Sequence, residues 1–367
     1  PGYLAIILHA HLPFVRHPEH EKFLEESWLF EDITETYLPL LQVMNGWQRD
    51  DMNARLTMTL SPTLCAMLRD PLLQERYARH LDELIALADK EVSRTHWEPQ
   101  FQELAQMYHT RLTAARTLYQ QLGGDIIGKF RRLQDFGLLE IITTGATHGL
   151  LPLMANHPPS VRAQILIARD HYRECFGCDP RGIWLPECAY FDGVEAYLQE
   201  ANIRWFIVDS HGLLHAHPRP RYGVFAPVFT PNGIAVFGRD MESSRQVWSR
   251  TEGYPGDARY RDFYRDIGFD LDFDYVKPHL PSPENRGFTG IKFDPAAPYS
   301  VFDPRQPSQE SLALCEKFVR LIREAVGTKA DLLFGTHGQF TASGALADTH
   351  TLHRLHEPYE PKGNVGQ

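Results

Sequence analysis

No apolar run in the 367-residue chain approaches the roughly 20 residues that a bilayer-crossing helix needs, so no membrane span is expected. Cysteine is scarce, with Cys65, Cys175, Cys178, Cys188 and Cys315 making an odd set of five. Such a set does not make a disulfide framework, and it fits a reducing cytoplasm better than an oxidising compartment. Cys175 and Cys178 form one C-x-x-C, but no second pair follows at zinc-site spacing, so a structural metal lacks its four ligands. Positive charge is also short: 37 Lys+Arg face 47 Asp+Glu, a formal charge of −10. That balance argues against nucleic acid or an anionic membrane surface as partner. The phosphate-binding G-x-x-x-x-G-K-[ST] loop, the G-x-S-x-G elbow and the H-E-x-x-H zinc helix are all missing. Pro1-Gly2-Tyr3 enters a strand-like run directly, without the basic start of a signal peptide.

Apolar residues make up 43% of the chain and charged residues 23%, enough burial to offset the ordering entropy of a folded domain. The apolar pattern switches repeatedly between strand and helix periods. Tyr3–Leu8 reads as a buried strand, Glu31–Trp47 as an amphipathic helix and Arg55–Leu60 as a second strand. Pro71 to about Phe136 is mostly helical, forming an insertion over about 64–136. Strands are then expected at Leu138–Thr143, Gly182–Leu185 and Ile203–Val208, with helices at Val161–Phe176 and Gly193–Ala201. Val224–Phe229 and Ile234–Phe237 read as a hairpin around Pro231-Asn232-Gly233. From Gly268 to Pro307 the chain is rich in Pro, Asp and aromatics and lacks periodicity. A helix at Gln309–Val326 and a strand at Asp331–Phe334 follow. The expected division is one α/β barrel-like domain over 1–338 and an irregular tail over 339–367.

Chemistry-bearing side chains collect at the ends of these strands, the face on which α/β barrels build their sites. His9 and His11 close the first strand, His148 the third and Glu187 the fourth, while Asp209 and His211 close the next. Two residues apart on a strand, His9 and His11 share a face. They could ligate a metal, hydrogen-bond sugar hydroxyls or satisfy a buried loop. Glu187, beside Trp184 and Tyr190, suits a glycosidase nucleophile behind an aromatic wall, or else caps the following turn. Trp248 and Tyr254 lie in a turn-rich stretch that could stack on sugar faces or pack as a loop. The Asp270–Tyr275 run lacks the Gly and closing Glu of an EF-hand and reads as a solvated loop.

Five ordered segments resemble glycoside hydrolase family 57, and within it the α-1,4-glucan branching enzymes. They are His9-Ala10-His11-Leu12-Pro13, Thr144-Gly145-Ala146-Thr147-His148-Gly149, Trp184-Leu185-Pro186-Glu187, Phe206-Ile207-Val208-Asp209-Ser210-His211, and Val247-Trp248-Ser249 with Gly253-Tyr254-Pro255-Gly256. Family members with amylase or glucanotransferase activity typically open on His-Gln-Pro, so His-Ala-His-Leu-Pro leans towards the branching group. The resemblance implies an incomplete (β/α)7 barrel, no cofactor, no metal, an α-glucan substrate and a retaining mechanism. Glu187 falls at the family's nucleophile position. His9, His11 and His148 resemble its substrate-binding histidines, and Trp248 an acceptor-site aromatic. The acid/base is expected in a motif of the type Tyr-Asp-Ala-Glu-Leu-Phe-Gly-His-Trp-Trp. Here Asp331, Phe334 and Gly335 echo it, with Asp331 one residue nearer Gly335 and the Glu and both Trp absent. No counterpart of the family's helical C-terminal domain is read beyond residue 340. A glucan-binding protein without turnover and a metal-dependent deacetylase using His9 and His11 are the rival readings.

Overall fold

The computed structural model describes residues 3–249, 251–259, 271–279, 290–293 and 331–334, with single helical positions at 317, 320, 321 and 324. Contacts divide the chain into Pro1–Ser282 and Pro283–Gln367.

The first unit is α/β. Strands β1 (Ile7–Ala10), β2 (Leu56–Leu60) and β3 (Leu139–Ile142) pair in parallel in sequence order. A single parallel bridge between Thr143 and Ile183 passes the pairing on to β4 (Gly182–Trp184). Parallel pairing then continues through β5 (Trp205–Val208) to β7 (Ala235–Gly238), and β6 (Val228–Phe229) adds an antiparallel edge. Parallel neighbours demand crossovers of a dozen residues or more, and these are the helices. All strands that run in one direction deliver their C-terminal ends, and the loops after them, to one rim.

Two of the helices, α3 and α4, start where the sequence supplies both a side-chain acceptor and a proline. Ser61 caps α3 (Pro62–Leu68) by accepting from the Leu64 amide at 3.2 Å. Asp70 caps α4 (Pro71–Arg94) by accepting from Leu72 and Leu73 at 2.9 and 3.1 Å. In both, proline occupies the first turn, where its missing N–H costs nothing and its φ is already helical. Helix α4 pairs with α5 (Pro99–Gln121), and α6 (Ile126–Asp135) follows before β3. Tyr77 and Tyr119 meet edge-to-face across the α4/α5 hairpin, ring centres 4.7 Å apart. Helix α7 (Pro158–Phe176) ends at Gly177, whose φ of 73° is the left-handed C-cap that glycine adopts without strain. Helices α8 (Val194–Glu200) and α9 (Ser210–Leu214) flank β5.

Three expectations shift. The first strand forms at Ile7–Ala10, not Tyr3–Leu8: Tyr3 and Leu4 are exposed, and pairing starts only where β2 begins opposite Ile7. The helix expected at Glu31–Trp47 starts earlier, as α1 (Glu26–Asp32), and passes through a π-helical turn at Ile33–Tyr37 before continuing as α2 (Leu38–Arg49). The early start follows from a buried ion pair. Glu26 Oε1 lies 2.5 Å from Arg76 Nη1 and also accepts from the His17 amide, while Arg76 donates to the carbonyls of His17 and His20. Two charges buried together need these extra hydrogen bonds to offset their desolvation. Finally, the segment carrying Trp248 is not all turn. Helix α10 (Met241–Trp248), capped by Asp240, takes in its first half.

Apolar packing falls into two main clusters. The larger joins β1–β3 to α1–α7 through residues such as Leu41, Met58, Leu64 and Phe130. The second joins β4, β5 and β7 to α7 and α8 through Ile165, Ile183, Leu198 and Phe206. Among the described residues no helix is long and apolar enough to cross a membrane.

In the second unit, β8 (Gly290–Phe293) pairs in parallel with β9 (Asp331–Phe334), Gly290 opposite Asp331 and Phe293 opposite Phe334. Strand β9 stands where the sequence placed it, whereas β8 interrupts a stretch read as irregular. The expected helix at Gln309–Val326 lies outside the described residues, save for its four helical positions, and so does the tail at 339–367.

Candidate active site

His9 sits on β1 and His11 just beyond it, two residues on and therefore on the same face. The loop after β3 carries His148 to meet them. His9 Nε2 and His148 Nε2 are 3.2 Å apart, and the His11 and His148 rings stack at 3.9 Å with their planes 5° apart. Trp184, the last residue of β4, lies flat on His9 at 4.4 Å. Four aromatic rings from three strand ends thus form one wall.

The loop that presents His148 is held from both sides. Thr144 Oγ1 donates to the Trp184 carbonyl at 2.7 Å, tying the loop to the end of β4. Gln164 on α7 accepts from the Thr147 amide at 3.0 Å and donates to Thr147 Oγ1 at 2.7 Å. A β-carbon on Gly145 would lie 3.0 Å from Gln164 Oε1 and 3.2 Å from Pro186, so glycine allows this close approach. His148 itself takes φ 55°, a left-handed conformation disfavoured for a side chain with a β-carbon.

Glu187 has the same property. It leaves β4 through Leu185 and Pro186 and adopts φ 57° and ψ 23°, followed by Cys188 at φ 53°. The double left-handed turn buries Pro186 and Cys188 and leaves the Glu187 side chain exposed at the rim. Its negative charge acts on His11, opposing the effect of burial there.

Burial governs the histidines. It pushes the His9 imidazole down to about 3, with His11, His148 and Arg239 adding repulsion. It pushes His148 down to about 4, with His11 adding to the effect. His11 is also lowered by burial, although Glu187 and Asp32 pull the other way. At neutral pH His9 and His148 are therefore uncharged, each able to donate one hydrogen bond and accept another. That suits sugar hydroxyls. Among the described residues this trio is also the one group of ligand atoms compact enough for a metal ion, all within 4.8 Å. Yet two rings stacked face to face cannot both aim an in-plane lone pair at one ion. As they stand, the rings make a wall rather than a coordination sphere.

Asp209, just after β5, is held by Arg239 at 3.1 Å, and the same guanidinium lies over the Trp184 ring at 5.4 Å. The structure thus joins His9, His11, His148, Trp184, Glu187 and Asp209 at one rim. His211 is on the exposed surface of α9, and Trp248 and Tyr254 are 60% and 53% exposed in α10 and the turn after it. The side chain of Asp331 lies outside the described residues. Sequence reasoning passed over Arg239 and Asp32. Arg239 directly follows β7, so the strand-end rule that picked out Glu187 would have found it. Asp32 carries no such signal, because it sits at the end of α1, where a π turn lets the Tyr37 hydroxyl donate to it at 3.2 Å.

Residues 5–276 match the family model described as glycosyl hydrolase family 57. A 1,4-alpha-glucan branching enzyme of Thermococcus kodakarensis is 33% identical over 294 residues, covering 72% of this chain. The chain spans only 42% of that relative's length. Among solved structures, the alpha-amylase AmyC from Thermotoga maritima aligns with a TM-score of 0.73 and 39% identity, covering 98% of this chain and 72% of its own. A family 57 branching enzyme from Thermococcus kodakaraensis, crystallised with glucose and additives, aligns with a TM-score of 0.66 and 25% identity over 96% of this chain and 68% of its own.

Proposed function

The chain belongs to glycosyl hydrolase family 57, and we propose that it cleaves α-1,4-glucan with retention, using Glu187 as nucleophile, and transfers the released segment to form α-1,6 branches. The observation that carries this reading is Glu187 itself. Its exposed carboxylate is held on left-handed backbone at a strand end, and its charge acts on His11 within a wall of neutral imidazoles and Trp184. In the proposed reaction Glu187 attacks the anomeric carbon while an acid protonates the departing glycosidic oxygen. The glycosyl-enzyme is then resolved by the 6-hydroxyl of an acceptor chain. His9, His11 and His148 orient hydroxyls of the bound sugar, while Trp184, Trp248 and Tyr254 offer ring faces to its apolar side. Asp209 and His211 complete the proposed substrate contacts. The proposed scaffold is an incomplete (β/α)7 barrel, which the sequential parallel strand order supports. Asp331 is the proposed acid/base. No cofactor is invoked.

Incubation with amylose tests the reading. New α-1,6 linkages are expected from the wild type, with a loss of at least about 1,000-fold in Glu187→Gln, because the nucleophile is removed. Asp331→Asn should fall nearly as far, and an unaffected Asp331→Asn would remove that residue from the acid/base role. Equal product from wild type and Glu187→Gln would overturn the enzymatic claim. Maltooligosaccharide binding without turnover would then be the surviving function. A second reading, hydrolysis by water in place of transfer, is favoured by the higher identity to the alpha-amylase AmyC. It predicts new reducing ends without α-1,6 linkages in the same assay. A metal-dependent deacetylase using His9 and His11 predicts stoichiometric metal in the purified protein.

A further inference from the structure

Two buried cysteines on the packed helices α3 and α7 lie beside polar groups that the proposed glucan chemistry does not use. Cys65 lies on α3, the helix after β2, and Cys175 in the last turn of α7, the helix before β4. Both are buried, Cys65 at 1% and Cys175 at 6% exposure, and both are free thiols. Arg69 Nη1 lies 3.5 Å from the Cys175 sulfur, and His171 Nδ1, one helical turn before it, 3.7 Å. The Arg69 guanidinium is fixed by Glu174 at 2.7 Å, and its side chain is partly open to solvent. Cys178, the other member of the C-x-x-C, lies beyond the Gly177 cap, is exposed, and accepts from Gln134 instead.

We propose that Cys175 is an oxidisable thiolate and Cys65 its resolving partner, so that a peroxide converts the pair into a reversible disulfide joining α3 to α7. An apolar pocket would keep a buried cysteine protonated, but a guanidinium and an imidazole beside the sulfur favour the thiolate. The Cys65 thiol, packed in the same cluster, adds to this. Its influence, ahead of His171 and Arg69, holds Cys175 below the ordinary thiol range, while Cys65 is pushed well above it. The proton therefore stays on the inner sulfur and the charge on the outer one. Cys175 is the sulfur that a small oxidant entering beside Arg69 would meet first.

The chemistry balances with one peroxide. The Cys175 thiolate attacks the O–O bond, an S–O bond forms, and hydroxide leaves. Cys65 then attacks the sulfenic sulfur, forming S–S as S–O breaks, and the second hydroxide leaves. The protons released by the two thiols convert both hydroxides to water. Two thiols are oxidised by two electrons, and hydrogen peroxide is reduced to two waters. The groups that favour the thiolate also stabilise the reduced pair, so a dithiol should reopen the bond readily, as in oxidising dithiol proteins rather than structural bridges.

Peptide mapping of the full chain after treatment with hydrogen peroxide tests the proposal. The expected result is a cross-link between the peptides of Cys65 and Cys175, a mass lower by two hydrogens, and complete reversal by dithiothreitol. In Cys65→Ser the sulfenic acid should persist on Cys175 and be captured by a 1,3-dione probe. In Arg69→Gln the pH midpoint for alkylation of Cys175 should move upward. A Cys175–Cys178 bond, oxidation confined to Cys178, or no cross-link at all in the wild type would overturn the proposal.

Discussion

His9 and His148 reach the proton only in strong acid, and this couples the site to the stability of the fold. In the unfolded chain both imidazoles titrate near 6.5, whereas in the folded protein burial holds them down to about 3 and about 4. Above about pH 6.5 both states are neutral there and these residues contribute no pH dependence. As pH falls below that value the unfolded state binds protons that the folded state refuses, so stability declines until the folded protein also protonates. The expected outcome is a melting temperature that falls between pH 6.5 and 4 more steeply in wild type than in His148→Gln. Equal slopes would mean that His148 is not buried neutral. At this scale the sequence was informative wherever chemistry sat at a strand end. That rule singles out His9, His11, His148 and Glu187, which the structure brings to one rim. It does not single out Asp32, because its partners Tyr37 and His11 reach it only through the π turn and the fold.

At the scale of single elements, strands β2, β3 and β4 start within one residue of their expected positions, whereas the first helix starts five residues early. Ser61-Pro62 and Asp70-Pro71 announce α3 and α4 because capping and proline act within four residues. Asp70 also binds Arg16 at 2.7 Å, so one carboxylate caps α4 and pins the loop after β1. Asp70→Ala should cost about 1–2 kcal/mol, from the lost cap and a partly exposed ion pair. Asp70→Asn, which can still cap, should cost less, and urea denaturation midpoints would rank the two. The first strand was misplaced for a different reason. An apolar run such as Tyr3–Leu8 states a preference for extended backbone, but pairing begins only where a neighbouring strand is opposite, and β2 lies more than forty residues away. The short α10 was missed because it buries none of its residues and so has no apolar stripe to read.

Taken whole, the molecule is acidic, with a wall of uncharged rings at the strand-end rim. The net charge of −10 is spread over the chain, while His9 and His148 are uncharged near pH 7. A neutral glucan has no counterions to release, so raising the salt from low to physiological should leave maltooligosaccharide affinity within about twofold. A steep salt dependence would point instead to a charged ligand. The parallel α/β class was readable from alternating periods, whereas the single Thr143–Ile183 bridge that passes pairing from one sheet to the next was not, since a bridge of that length leaves no periodic trace. The left-handed backbone at His148 and Glu187 acts on the whole molecule as well. Each position holds a conformation that glycine would occupy with about 1 kcal/mol less strain. A laboratory selection that rewarded heat resistance alone would therefore be drawn to glycine at 148 and 187. Relieving that strain would erase the imidazole and the carboxylate from the rim, and glycine's freedom in the unfolded chain would offset much of the gain.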